Sequence, residues 1–166
     1  TYTYAPLDRF ITFLKGNDGQ YYVHNFYFNG WRTKVYGSEN ERVFPEPSLI
    51  KENTKWAICK NRPYVYFTSG NELYAYNYST DGNTVKKLEG CHFDRTIKAI
   101  ALNPMNHEQL AVAVENSNDP SKCDFMLLDV SVVGDGAIID GSKKEAAFGN
   151  VTMINYKVGI QWYIPD

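Results

Sequence analysis

An all-β fold built from a repeated unit of short antiparallel strands is predicted by three observations. Aromatic residues make up 15% of the 166-residue chain, and 13 of them are tyrosine. Short apolar and aromatic runs are split by Gly, Asn and Asp turns, as in "PYVYFTSGNELYAYNYSTDGN" (63–83). One such run recurs twice more at an interval of 52 residues.

The composition speaks for strands because Tyr, Phe and Val fit the half-buried, pleated surface of a sheet. A chain of this length suits one domain and buries about 70% of the surface its unfolded form exposes, so neither disulfide nor metal is needed to hold a core. The recurring run reads Tyr21-Tyr22-Val23-His24-Asn25-Phe26, then Leu73-Tyr74-Ala75-Tyr76-Asn77-Tyr78, then Phe125-Met126-Leu127-Leu128-Asp129-Val130. Each copy has apolar positions leading to Asn or Asp and one more apolar residue, with His24 the single departure.

The remaining strands are placed around these anchors. Extended runs at 11–14, 64–68 and 110–114 precede them, joined by Gly-, Asn- and Asp-rich turns that mark hairpins. Upstream of those, "KWAICKN" (55–61), "TIKAIALNP" (96–104) and "VTMINYKV" (151–158) read as first strands, and "TYTYAP" as the tail of another. Looser segments at 33–44, 84–88 and 137–140 read as outer strands. Helical turns are expected only at 47–52 and 142–148, and "FPEPS" (44–48) reads as a connector between units.

Several four-stranded units repeating at a fixed period are the signature of a β-propeller. The chain is therefore expected to hold about three four-stranded antiparallel blades, in one partial propeller domain spanning 1–166. Its units run roughly 1–45, 55–90 and 96–141, with a closing strand at 151–158. Side-chain alternation puts Tyr74, Tyr76 and Tyr78 on one face and Leu73 and Ala75 on the other, and inner blade strands bury both faces. The tyrosines are thus expected in the core, with one or two left at a rim for a sugar or protein contact. Asn25, Asn77 and Asp129 are expected to bond backbone, because architecture repeats in every blade where function does not.

With 17 Lys and Arg against 19 Asp and Glu and no run of like charge beyond two residues, no basic stripe is available for nucleic acid. The odd cysteine count, Cys59, Cys91 and Cys123, matches neither a disulfide framework nor a zinc spacing, so free buried thiols and no cofactor are expected. There is no charged-then-apolar leader and no apolar run near 18 residues, the length a spanning helix requires. Starting at Thr1, the chain is expected to be a piece whose targeting segment lies upstream.

No motif specifies an activity. Cys91 and His92 are adjacent, and adjacent strand residues point to opposite faces, whereas a thiol nucleophile and its base must meet. His24 and His107 have no partner at ligand spacing. The loop at Ser79-Thr80-Asp81-Gly82-Asn83 starts like the Asp-box of sialidase propellers but lacks its terminal Thr-Trp, and reads as a hairpin turn. Asp135-Gly136 and Asp140-Gly141 are turn pairs, and Asn77-Tyr78-Ser79 and Asn150-Val151-Thr152 are glycosylation sequons.

The third unit, "RTIKAIALNPMNHEQLAVAVENSNDPSKCDFMLLDVS", resembles a WD40-type blade in its Asn-Pro strand end, its "LAVAV" strand and its Leu128-Asp129-Val130 step. It differs in having no Gly-His pair before the first strand and no Trp before Asp129. The span 55–158, with "YVYFTSGNELYAYN", "LAVAV" and "FGNVTMINYKV", resembles the C-terminal propeller of PKD-like surface lipoproteins of gut anaerobic bacteria. That resemblance implies a secreted, lipid-anchored, outer-surface protein associated with nutrient or glycan capture.

Two classes of function follow. One is a non-catalytic binding or scaffolding propeller for a glycan or a protein. The other is a propeller enzyme such as a glycosidase, which needs paired carboxylates at a central mouth. Asp18, Glu108 and Asp119, the carboxylates of the expected loops, show no pairing, so binding is the expected class. About three blades fall short of the four to eight with which propellers close. Terminal faces carrying Tyr22, Phe26 and Phe28 at one end, or Met153 and Tyr156 at the other, are expected to be covered by upstream sequence or by a second copy.

Overall fold

The computed structural model describes residues 9–28, 35–59, 62–79, 82–116, 118–119, 122–130, 132–133, 137–138, 142–144, 150–152 and 159–163. The fold is all-β, in small antiparallel sheets, with no closed barrel among the described residues. The chain divides into two compact units between Pro47 and Ser48, within the stretch expected to be a connector.

The first unit is one meander of β1 (Arg9–Lys15), β2 (Tyr21–Phe28) and β3 (Val35–Val43), in that order. The β1–β2 turn is closed by Gly16 N–H on the Gln20 carbonyl at 2.8 Å and opened to the left-handed region at Gly19, φ 82°. Its core holds Val23 and Phe44, and Phe44 meets Phe13 edge to face at 5.9 Å. A 3-10 turn, Pro47–Leu49, lies where a helical turn was expected.

The second unit contains β4 (Trp56–Ile58), β5 (Tyr64–Ser69), β6 (Glu72–Asn77) and β7 (Thr84–His92) as one four-stranded meander. Next come β8 (Ile97–Leu102), β9 (Gln109–Glu115) and β10 (Lys122–Asp129), paired in order as a second meander. The two-residue turn between β5 and β6 starts at Gly70 with φ 63°, the position where a type II′ hairpin takes glycine. A Cβ there would touch nothing within 4 Å, so any substitution acts through the backbone alone. Gly70→Val is expected to cost about 1–2 kcal/mol, read as a lower midpoint in urea denaturation.

All three anchors are interior strands of separate sheets. Asn25 stands opposite Ile11, Asn77 opposite Tyr64 and Asp129 opposite Gln109, so hairpin register agrees to within a residue of the sequence alignment. In the second unit the two sheets stack with like strands facing: β4 lies against β8, and β7 against β13. Between them lies one core, which includes Tyr64, Tyr66, Leu73 and Ala75 from one sheet and Ile100, Leu110, Val112 and Leu128 from the other. The opposite face of β5 and β6 is packed too, with Phe67 between Trp56 and Tyr74 at 5.1 and 5.5 Å. Both faces of β5 are therefore buried, and Tyr66 and Tyr76 are fully enclosed.

The outer strand of the third sheet differs from expectation. Instead of 137–140, β10 is flanked by Ser142–Lys144 (β13) opposite Leu127–Asp129 and by Asn150–Thr152 (β14) opposite Lys122–Asp124. Ala137–Ile138 (β12) pairs with Val132–Val133 (β11) in a small hairpin of its own. The physical reason is that an edge strand is often kept polar and lysine-bearing, so Ser142-Lys143-Lys144 carries no apolar alternation to betray it. Of the 151–158 segment expected to be a first strand, only Val151 and Thr152 are described, and they serve this outer edge. The expected helical turn at 142–148 is strand over its described part, Ser142–Lys144. Met153, Tyr156, Asp135, Gly136, Asp140 and Gly141 lie outside the described residues.

Candidate functional site

At one end of the second unit the loop that joins β4 to β5 meets the loop that joins β8 to β9. Each loop is pinned by backbone. Cys59 N–H donates to the Tyr64 carbonyl at 2.9 Å, and Asn103 N–H to the Gln109 carbonyl at 2.9 Å. In the longer loop, Asn103 Oδ1 accepts from Met105 N–H and Asn106 Oδ1 from Glu108 N–H, two successive Asx turns that shape 103–109. The Asn103 amide also donates to Gln109 Oε1 at 2.9 Å.

Across the two loops, Cys59 Sγ lies 3.5 Å from His107 Nδ1. This pair was invisible in sequence, because 48 residues separate its members and only the stacking of two sheets joins them. The adjacent Cys91 and His92 are consecutive positions at the end of β7. A reactive thiol needs access as well as a base, and Cys59 is only 3% exposed. The neighbouring Tyr66 hydroxyl has its pKa raised, first by burial and then by the Cys59 thiol, so it stays neutral. Cys123, also buried, has its thiol pushed up by burial and then by the Asp124 charge, as an inert structural thiol should. Among the described residues no three His, Cys, Asp or Glu side chains are grouped to hold a metal ion.

Beside the same loop is a polar cavity of about 120 Å³ lined by Asn106, Glu108, Gln109 and Asp129. It brings together two carboxylates that sequence reasoning kept apart: Glu108 was placed in a loop and Asp129 in the frame of the blade. Their meeting follows from hairpin register, since Gln109 pairs with Asp129 and Val130 N–H donates to the Glu108 carbonyl at 2.8 Å. The volume is well under the roughly 300 Å³ at which ligand pockets begin.

The other candidate residues have local roles. Asp18 sits in the β1–β2 turn, fully exposed, and its pKa is lowered by the Tyr22 hydroxyl and by the Gln20 N–H. Asp119 lies in a loop capped by Asn116, its N–H donating to Asn116 Oδ1 at 3.0 Å. Asn77 Oδ1 accepts from Ser79 N–H at 3.0 Å, the backbone-bonding role expected of it. The loop that follows turns through Asn83 at φ 54°, whose Oδ1 accepts the Tyr76 hydroxyl at 2.6 Å. His24 is opposite Thr12 on β2. Thr80 and Asp81, and the side chains of Asn25, Phe26, Phe28, Cys91, His92 and Asn150, lie outside the described residues.

A second cavity, about 330 Å³ and mostly apolar, lies between the third sheet and residues 160–163. Trp162 and Tyr163 form one wall and Ala101, Ala111 and Leu127 the other, with the Trp162 indole N–H donated to the Ala101 carbonyl at 2.8 Å.

No family model matches the chain, and neither curated proteins nor solved structures give a match. Function therefore rests on the geometry of these two cavities and on the loops beside them. No helix of the described residues is long and apolar enough to cross a membrane.

Proposed function

We propose that this chain is a non-catalytic binding or scaffolding module of propeller type, from a secreted or cell-surface bacterial protein, holding a glycan or protein ligand. The observation that carries this reading is the mismatch between chemistry and space. The carboxylates Glu108 and Asp129 share a cavity of about 120 Å³, too small for a sugar ring, whereas the cavity of about 330 Å³ is apolar and walled by Trp162 and Tyr163. Aromatic walls bind by stacking and apolar contact, with the Tyr hydroxyl and Trp N–H as hydrogen-bonding handles. The resemblance to surface lipoproteins supports the cell-surface location.

One observation favours the second reading, a glycosidase: two acidic residues, Glu108 and Asp129, line one concavity, and glycoside hydrolysis uses a pair of carboxylates. Purified protein should retain glycans or peptides in an array without releasing product from aryl glycosides. Turnover that is lost in both Glu108→Gln and Asp129→Asn would overturn the binding reading.

A further inference from the structure

The two faces of the third sheet differ in side-chain volume. Toward β4–β7, strand register sets Ile100 beside Val112 and Leu102 beside Leu110. On the other face the same two strands pair Ala99 with Ala113 and Ala101 with Ala111, a two-by-two block of methyl groups. β10 borders that block with Phe125 opposite Ala113 and Leu127 opposite Ala111. The four alanines form a trough, because none of their side chains rises past Cβ.

Residues 159–163 lie along this trough and fill one row of it. Ile160 packs on Ala99, Ala113 and Cys123. At the neighbouring row Trp162 is half-buried, and its indole N–H is donated to the Ala101 carbonyl at 2.8 Å. The space left beside it is the cavity of about 330 Å³, floored by Ala101, Ala111 and Leu127 and bordered by Ile160, Trp162 and the exposed Tyr163. That volume reaches the roughly 300 Å³ at which ligand pockets begin.

We propose that this cavity binds an uncharged aromatic ring of about benzene size, in preference to a sugar. The inference rests on the binding reading above and names the chemistry that its apolar site recognises. A ring entering the trough meets alanine methyls and Leu127 on one side and aromatic carbon of Trp162 and Tyr163 on the other, and aromatic pairs add to the area they bury. A sugar would bring hydroxyls to a lining with few partners for them: the Trp162 N–H is already donated to Ala101, and Gln161 and Tyr163 stand at the exposed rim. A hydroxyl buried without a partner gives up its hydrogen bonds to water and gains none. Cavities with apolar linings stay dry and accept benzene-sized guests.

The indole proton–nitrogen NMR signal of Trp162, assigned by its loss in Trp162→Phe, reads the site directly. Titrating the purified chain with p-cresol should move that signal to saturation, while methyl β-glucoside at the same concentrations leaves it in place. Ala111→Leu fills the floor and should weaken p-cresol at least about tenfold. Tyr163→Ala, a change at an exposed position, should weaken it about two- to tenfold, the worth of one aromatic pair. Amide spectra confirm that each variant is folded, and Tyr163→Ala decides alone where Ala111→Leu is not. N-acetylphenylalaninamide separates two sources of the ring: affinity more than about tenfold above that of p-cresol assigns it to a peptide side chain, and lower affinity to a free aromatic molecule. A glucoside that moves the indole as strongly as p-cresol, or alone, overturns the aromatic assignment and leaves the binding reading standing. A p-cresol response unchanged in both folded variants overturns the site. An indole moved by none of these probes also overturns the inference, and the binding reading falls with it only when an array of glycans and peptides retains nothing either.

Discussion

Tyr66→Ala is expected to remove about 3–5 kcal/mol of stability, the range for deleting a buried aromatic ring, and so to unfold a large share of molecules whose total stability is about 5–15 kcal/mol. Tyr66 is 1% exposed and stands on β5 between Ala57 of β4 and Ala75 of β6 in direct register. Its ring therefore spans space that two methyl groups leave open, against Leu110, Val112 and Leu128 of the facing sheet. Deleting it leaves a cavity that neighbouring strands cannot collapse into, because their side chains at this level are already the smallest that bear a Cβ. Tyr66→Phe keeps the volume and should cost about 1 kcal/mol or less. Tyr163→Ala, at an 82% exposed position, should stay within about 0.5 kcal/mol. Urea denaturation of the three variants checks the order, and equal losses from Tyr66→Phe and Tyr66→Ala would mean that the hydroxyl, not the ring, holds this site.

The strands of this fold are legible in sequence wherever one face or both are apolar. The three anchors, the turns at Gly19 and Gly70 and the strands β5, β6 and β9 all announce themselves through side chains that must be buried or backbones that must turn. Legibility fails where burial no longer constrains the residue. Ser142-Lys143-Lys144 forms an edge that needs only backbone pairing, so almost any polar triplet serves, whereas the apolar Ala137–Ile138 looks like a strand and pairs in a separate hairpin. At the candidate site the same division holds. Glu108 and Asp129 meet through one hairpin, and register counted from the turn could have found them. Cys59 and His107 meet through the stacking of two sheets, a relation that no local pattern records. Tyrosine content misleads in a further way. Among the described side chains, Tyr64, Tyr66 and Tyr76 are consumed in packing, and an exposed tyrosine, Tyr163, lies in the segment that follows the outer strand rather than in the tyrosine-rich hairpin.

Phe44→Ala is expected to cost about 3–5 kcal/mol in the first unit, although the residue opens a stretch, "FPEPS", with the composition of a connector. The ring is fully enclosed, 0% exposed, and meets Phe13 of β1 edge to face at 5.9 Å and 75°. Aromatic pairs of that geometry add about 0.5–1.5 kcal/mol to the area they bury. The Phe44 N–H donates to the Tyr21 carbonyl at 2.8 Å, so the backbone delivers the ring to its place by extending the β2–β3 ladder one residue past Val43. Among the described side chains of this unit the buried ones are Phe44 and Val23, so this part of the sheet rests on each of them. Amide hydrogen exchange reads the effect locally: protection along β1 and β2 should fall by a factor of about 100 or more in Phe44→Ala, since each 1.4 kcal/mol of opening free energy is tenfold. Glu46→Ala, an exposed change two residues on, should leave that protection unchanged. Unaltered exchange in Phe44→Ala would mean that the ring is not what holds β1 and β2 together, and that 44–48 is the plain linker its composition suggests.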